Sequence, residues 1–328
     1  MTQKLLPGLD VLKFLLAVVI IAAHTHFLEE TPAGNYLGGV IGMAVPVFFA
    51  LSAYFFFKKI YSFSVEEDTS SILWHTIKRL SILFVSWYIL MLPMAYGFYT
   101  SLTLKGFVYT AFLSCAVWGY WFIKALLINM LIFYFFRKPK PLFICTIISL
   151  VIYFYCAYNN LYQYNQLLYG IHPYYSFYYH MAYFSVGVWY ARYTDKVENL
   201  SGKMVTRLFF IWGCLYVSIL YFDWMAPFFR LCSFALLFPL FCKIKGISDS
   251  LSRTLRNMSI ILYMVQFMLI WLYDMGCKAW LDESSMAFSI MQYSVTRFVV
   301  VLSLASVIAL LIIKNEYRPQ WFFLKYLH

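Results

Sequence analysis

Charge is what this sequence has least of. Asp, Glu, Lys and Arg make up 12% of its 328 residues, about half of the roughly 25% usual in a soluble domain. Acid is scarcer than base, 14 residues against 25, so the net charge is +11. With 63% hydrophobic residues and a mean hydropathy of +0.73, the shortage excludes a water-soluble globular chain and points to a multi-span membrane protein. No pair of the seven cysteines is spaced C-x-x-C, and all are scattered through apolar runs. That excludes a disulfide-stapled secreted scaffold and reads them as small buried hydrophobes. No cluster of metal-ligand type stands out, so no metal is expected. No polar stretch approaches the ~100 residues a soluble domain needs, so residues 1–328 read as one integral-membrane domain with no soluble domain appended. Nor is there a clear internal repeat of the kind that marks inverted-repeat transporters.

What is present is long apolar runs. A helical span needs about 20 such residues, and runs of that kind fall at 8–27, 38–57, 76–99, 117–136, 141–158, 178–193, 207–223, 225–242, 258–275 and 291–313. The fold class is therefore an all-α polytopic transmembrane bundle of about ten spans. The first run is read as a retained span and not a signal peptide, because Asp10, Lys13 and His24 lie within it and no small-x-small cleavage site follows. With both termini placed in the cytoplasm, 19 of the 25 cations fall in inner segments, two (Lys105 and Lys278) fall outside, and four (Lys13, Lys124, Arg230 and Arg297) lie within spans. Such segregation is the positive-inside rule. It accounts for the +11 topologically, so no nucleic-acid partner is expected; the partner is the lipid bilayer.

Ionisable groups inside spans are functional candidates by default. Lys13 and His24 are eleven residues apart, which returns them to within about 20° of one helix face at a separation of ~16 Å. Asp10 precedes Lys13 by three, the spacing of an ion pair on that face. One stripe thus carries an acid and a base towards the inner leaflet and an imidazole, ~25 Å beyond Pro7, near the outer one. An imidazole titrates near neutrality and suits a general base. His26, about 200° from His24 on the same helical wheel, reads as a headgroup-facing residue. The stripe also fits a proton or ion path of a glycan or solute transporter, the rival class.

Other candidates are less specific. Pro46 in the second span is expected to bend the helix or free a carbonyl, and Ser52 and Ala53 permit close helix approach. Lys78 and Arg79 open the third span either as a positive-inside anchor or as a clamp for phosphates. Trp121 belongs to an aromatic belt, while Lys124, Arg230 and Arg297 each need a partner; Asp223 is within reach of one of the arginines. Residues 158–180 gather eight tyrosines with amides, His172 and His180, which suits either a sugar-binding surface or an interfacial belt.

The chain resembles the acyltransferase-3 family of integral-membrane acyltransferases. Lys13, ten residues and then His24 are similar to its Arg/Lys-x10-His signature, and Val45–Tyr54 (VPVFFALSAY) resembles its "PlFFvlSGy" second span. Lys78-Arg79-Leu80 resembles its basic motif at the start of the third span, Trp121–Leu126 (WFIKAL) its "WFl-x-aL" segment, and Ser259–Gln266 (SIILYMVQ) its "S-x-x-iYliH" element. Three positions depart from the pattern: Ala53 replaces a glycine, Ile82 stands where a second arginine is usual, and Gln266 replaces a histidine. Glutamine can orient a substrate but does not accept a proton at neutral pH.

The resemblance implies acyl transfer, acetyl by default, from cytoplasmic acetyl-CoA or another acyl-CoA to a hydroxyl of an exported or cell-surface glycan, in the bacterial inner (plasma) membrane. It implies His24 as general base, or as an acyl carrier, with Lys13 and Asp10 on the same catalytic helix. Lys78, Arg79, Ser52 and Trp121 would contact the donor, and Gln266, Tyr263 and Lys124 the acceptor. Homo-oligomerisation, and a non-catalytic role in presenting an acceptor, stay open.

Overall fold

A computed structural model describes residues 6–63, 69–100, 103, 121–162 and 176–315. Among these residues the chain is all-helical, with no strand. The helices are α1 (Pro7–His24), α2 (Pro32–Tyr61), α3 (Ser70–Thr100), α4 (Trp121–Phe135), α5 (Pro139–Tyr162), α6 (Phe177–Arg192), α7 (Thr194–Glu198), α8 (Gly202–Tyr221), α9 (Ala226–Cys242), α10 (Asp249–Trp280), α11 (Met286–Gln292) and α12 (Ser294–Asn315). A 3-10 turn, Asp223–Met225, leads into α9. Each of the ten apolar runs falls on a helix. Seven of them (α1, α2, α5, α8, α9 with its turn, α10 and α12) are long and apolar enough to cross a membrane, and α4 is a shorter apolar helix. The start of the fourth run, 117–120, lies outside the described residues.

Serine fixes three of the helix starts. The side chains of Ser201, Ser248 and Ser285 accept hydrogen bonds from the N–H groups of Met204, Leu251 and Phe288, satisfying otherwise orphaned donors of the first turn. The end of α1 departs from the sequence expectation. The apolar run continues to residue 27, but the helix stops at His24. Phe27 N–H donates to the Ala22 carbonyl and His26 N–H to the Ala23 carbonyl, the paired bonds of a Schellman cap. His26 occupies its left-handed position, with φ 56°, where glycine is usual. It therefore does not continue the helical wheel, and its Nδ1 pairs with the Glu29 carboxylate.

The chain forms two compact units. The first comprises residues 1–45, 86–94 and 240–328; the second comprises 46–85 and 95–239. The boundary in α2 falls at Pro46, through which the helix continues. Lacking an N–H, Pro46 leaves the Gly42 carbonyl without its helical donor.

In the first unit α1 and α10 pack side by side. The Ser252 hydroxyl donates to Asp10 at the start of α1, and the Phe267 ring meets His24 at its end. Fourteen residues separate the two contacts on α1 and fifteen on α10, about 21 and 22 Å, so the helices run parallel. At the start of α1 only glycine fits: a Cβ on Gly8 would stand 1.9 Å from the Phe241 carbonyl oxygen. α12 buries Val301, Ala305, Ala309 and Ile312, one stripe at helical spacing, and leaves Leu304, Val307, Leu310 and Leu311 exposed.

The second unit packs α5 and α4 on α6 around Phe57, Phe133, Phe184, Phe234 and Phe238. Gly187 of α6 meets Ala50 and Ala53 of α2, so of Ser52 and Ala53, the two residues expected to permit close approach, it is Ala53 that Gly187 meets. Trp189 Nε1 donates to Thr146 Oγ1 at 2.9 Å, and the Tyr190 hydroxyl to the Ala235 carbonyl at 2.8 Å. α8 buries Val205 alone among its 20 residues and exposes Phe210 by 71% and Tyr221 by 77%. Apolar surface of that extent belongs against lipid.

Candidate functional site

Asp10, Lys13, His24, Tyr263 and Gln266 all lie in the first unit, grouped at the two ends of the α1–α10 pair. Asp10, 4% exposed, accepts from Ser252 Oγ at 2.6 Å through one carboxylate oxygen and lies 3.5 Å from Lys13 Nζ through the other. The expected i,i+3 pair is therefore present. Ser252, 242 residues away in the chain, adds a charge-assisted bond to the buried carboxylate. The acid thereby anchors α1 to α10. At the far end of α1, His24 is exposed, with Phe267 against its ring at a 4.5 Å centroid distance. Next to Phe267, Gln266 is fully buried. Its Nε2 donates to the Tyr263 carbonyl at 2.9 Å, and among the described residues its Oε1 has no hydrogen-bond partner. An exposed imidazole is a group that takes a proton, and a spare amide oxygen is one that orients a hydroxyl.

The connection after α1 packs on α12. The Phe27 ring meets Phe298 at a 4.4 Å centroid distance, tilted by 42°, and Leu28 N–H donates to Ser294 Oγ at 3.2 Å. Beyond them Arg297 of α12 pairs with Asp274 of α10. Asp274 is the partner that Arg297 required. Asp223, the acid considered from sequence, lies exposed in the turn before α9. The missed signal was simple: Asp274 is the one carboxylate in the run 258–275, and a carboxylate at that depth marks a paired or functional group.

The remaining candidates fall in the second unit. Lys78 and Arg79 are exposed on α3 and Ser52 is half-buried on α2. Trp121, 6% exposed, stacks on His180 at 4.8 Å, and His180 lies parallel to Phe49 at 4.4 Å with 6° between the rings. One turn along α4, Lys124 Nζ is buried with no hydrogen-bond partner among the described residues, 6.0 Å from the centre of the Phe84 ring.

His180 and Tyr179 correct one expectation. Both belong to the stretch read as a sugar-binding or interfacial surface, yet both are buried in the unit's core. Residues 163–175 of that stretch lie outside the described residues. Sequence reasoning also missed a relay in this core, in which the Tyr183 hydroxyl donates to the Tyr153 hydroxyl and Tyr153 donates to the Pro227 carbonyl, each at 2.8 Å. Among the described residues no three His, Cys, Asp or Glu side chains gather as metal ligands.

Comparison with curated proteins and with solved structures finds no match. The acyltransferase-3 family model, described as an acyltransferase domain, matches residues 6–315. That span takes in the α1 stripe, the second-span motif and the Gln266 element alike. Helices long and apolar enough to span a membrane, together with a family match over nearly the whole chain, lead to one conclusion: this chain belongs to the acyltransferase-3 family and is an integral-membrane acyltransferase.

Proposed function

We propose that the protein moves an acetyl or other short acyl group from cytoplasmic acyl-CoA to a hydroxyl of an exported or cell-surface glycan, with His24 as general base. The observation that carries this reading is the setting of His24. It is an exposed imidazole at the end of a helix whose other end is tied down by Asp10 and Ser252. His24 takes the proton of the acceptor hydroxyl as its oxygen attacks the thioester carbonyl. The carbon–sulfur bond then breaks, and the departing CoA thiolate takes the proton back from the imidazolium, leaving an ester and free CoA. Gln266 Oε1 is suited to accept from a second acceptor hydroxyl, and Tyr263 flanks it on α10.

Asp10 and Lys13 position α1 and take no chemical step. The donor contacts assigned to Lys78, Arg79, Ser52 and Trp121, and an acceptor contact at Lys124, rest on the family motifs and on the chemistry of those side chains. Cations suit nucleotide phosphates and an indole suits an apolar arm. The topology proposed with this reading is ten crossings in a bacterial inner membrane with both termini cytoplasmic, supported by the distribution of Lys and Arg. Family membership favours group transfer over an ion path through the same residues.

The test is mass spectrometry of envelope glycans from cells with and without the protein, paired with acetyl-CoA binding by the purified chain. The expected result is an O-acyl group that disappears with the gene, and saturable donor binding. Unchanged glycans with no donor binding would overturn the proposal.

A further inference from the structure

His24 is the last residue of α1, and the end of a helix is where it frays. The segment that follows is held firmly. Thr25 is buried and its hydroxyl donates back to the Ile21 carbonyl at 2.9 Å. Two residues then take left-handed backbone, His26 at φ 56° and Leu28 at φ 59°. Among the described residues they are the only non-glycine positions with positive φ. A leucine has no polar side chain with which to stabilise that conformation, so Leu28 is strained.

Strain of this kind persists only where the surroundings over-determine it. Leu28 is fixed on both sides of its Cα. Its N–H donates to the Oγ of buried Ser294 at 3.2 Å, and its carbonyl accepts from the N–H and hydroxyl of Thr31 at 2.9 and 2.7 Å. Gly34, in the first turn of α2, backs the same carbonyl: a Cβ there would stand 2.2 Å from the Leu28 oxygen. Between the two left-handed residues, Phe27 rests on Phe298.

These contacts close a ring around the imidazole. Ser294 and Arg297 share the first turn of α12. Arg297 pairs with Asp274 of α10, and α10 carries Phe267 against the His24 ring. A turn that only joined α1 to α2 could place glycine at position 28 and avoid the strain.

We propose that the strained turn 26–28 is a positioning clamp for His24, in which Leu28, Ser294 and Gly34 set the place of the imidazole without touching substrate. The inference rests on the reading of His24 as general base and goes beyond it. A base must lie within hydrogen-bond reach of the proton it takes, and a misplacement of ~1 Å can cost ~100-fold in rate.

The test uses the full-length protein in sealed proteoliposomes, with radiolabelled acetyl-CoA and oligosaccharides released from the producing cell's envelope. Ser294→Ala removes the oxygen that Leu28 N–H reaches, and Ser294→Thr keeps it. Gly34→Ala pushes on the Leu28 carbonyl. Leu28→Gly relieves the strain and adds no bulk, which keeps the test open should Gly34→Ala fold poorly. Ser294→Ala, Gly34→Ala and Leu28→Gly are expected to lower kcat about tenfold or more, with KM for acetyl-CoA unchanged, and Ser294→Thr to retain most of the rate. The deciding comparison is a double-mutant cycle. In a His24→Ala background Leu28→Gly should cost nothing further, because no base is left to position. Unchanged kcat in Ser294→Ala and Leu28→Gly, or an equal loss with and without His24, would overturn the clamp. Failure of the underlying reading looks different: His24→Ala alone would then form ester at the wild-type rate.

Discussion

Gly187 gives a direct measure of how closely α2 and α6 approach within the second unit. An added Cβ would lie 2.1 Å from the Ala50 carbonyl oxygen and 2.8 Å from both the Ala50 carbonyl carbon and the Ala53 Cβ. Ordinary contact begins at 3.4 Å, so the helices would have to part by about 1.3 Å, and a backbone carbonyl offers no rotamer by which to yield. Overpacking of that kind costs roughly 1–3 kcal/mol. Against it stands the helix-propensity gain of Gly→Ala, about 1 kcal/mol. Gly213, in α8, separates the two effects, because nothing lies within 4 Å of its Cβ position. Gly213→Ala should show the propensity gain alone, so the difference between the two variants isolates the clash at about 1–3 kcal/mol. In thermal unfolding followed by tryptophan fluorescence in one detergent, Gly187→Ala should melt several degrees below Gly213→Ala. If the two melt within about 1 °C of each other, or Gly187→Ala melts higher, the close approach is wrong.

Ser252→Ala removes the hydroxyl that donates to buried Asp10 at 2.6 Å. A hydrogen bond to a charged group contributes about 1.5–3 kcal/mol, so this variant should melt measurably below wild type, while Ser250→Ala, at an exposed position, should not. On the loop before α11, the backbone N–H and hydroxyl of Ser284 hold the Asp282 carboxyl below its ordinary value. A lowered native pKa means that the turn is fully supported above the ordinary aspartate range, near 4, and loses that support as pH falls through the lower native value. Amide hydrogen exchange at Ser284 should accelerate over that window beyond the intrinsic pH dependence, and Asp282→Asn should remove the excess.

The helices were legible because a bilayer demands long apolar runs, and each run falls on a helix, if not always to its last residue. Helix ends were less so. α1 stops three residues early on a left-handed His26, and a histidine in a glycine's position gives no local warning. Asp10 and Lys13 were readable as a pair since a helix brings residues three apart together. The bond from Ser252 to Asp10 and the pairing of Arg297 with Asp274 join different helices, and spacing along the chain carries no information about which helices are neighbours. His180 illustrates the same gap on the aromatic side. Tyrosines and histidines in a row look alike whether they face an acceptor or a core, and only the positions of Phe49 and Trp121 assign His180 to the core.

The central claim is that His24 performs the proton transfer. It is tested most directly with protein in sealed proteoliposomes, supplied with radiolabelled acetyl-CoA and the envelope oligosaccharides, comparing wild type with His24→Ala. General-base catalysis contributes about 10²- to 10⁴-fold, so the variant should lose ester formation by at least ~100-fold while acetyl-CoA binding and melting temperature stay near those of wild type. Ester formation by His24→Ala at the wild-type rate would contradict the account.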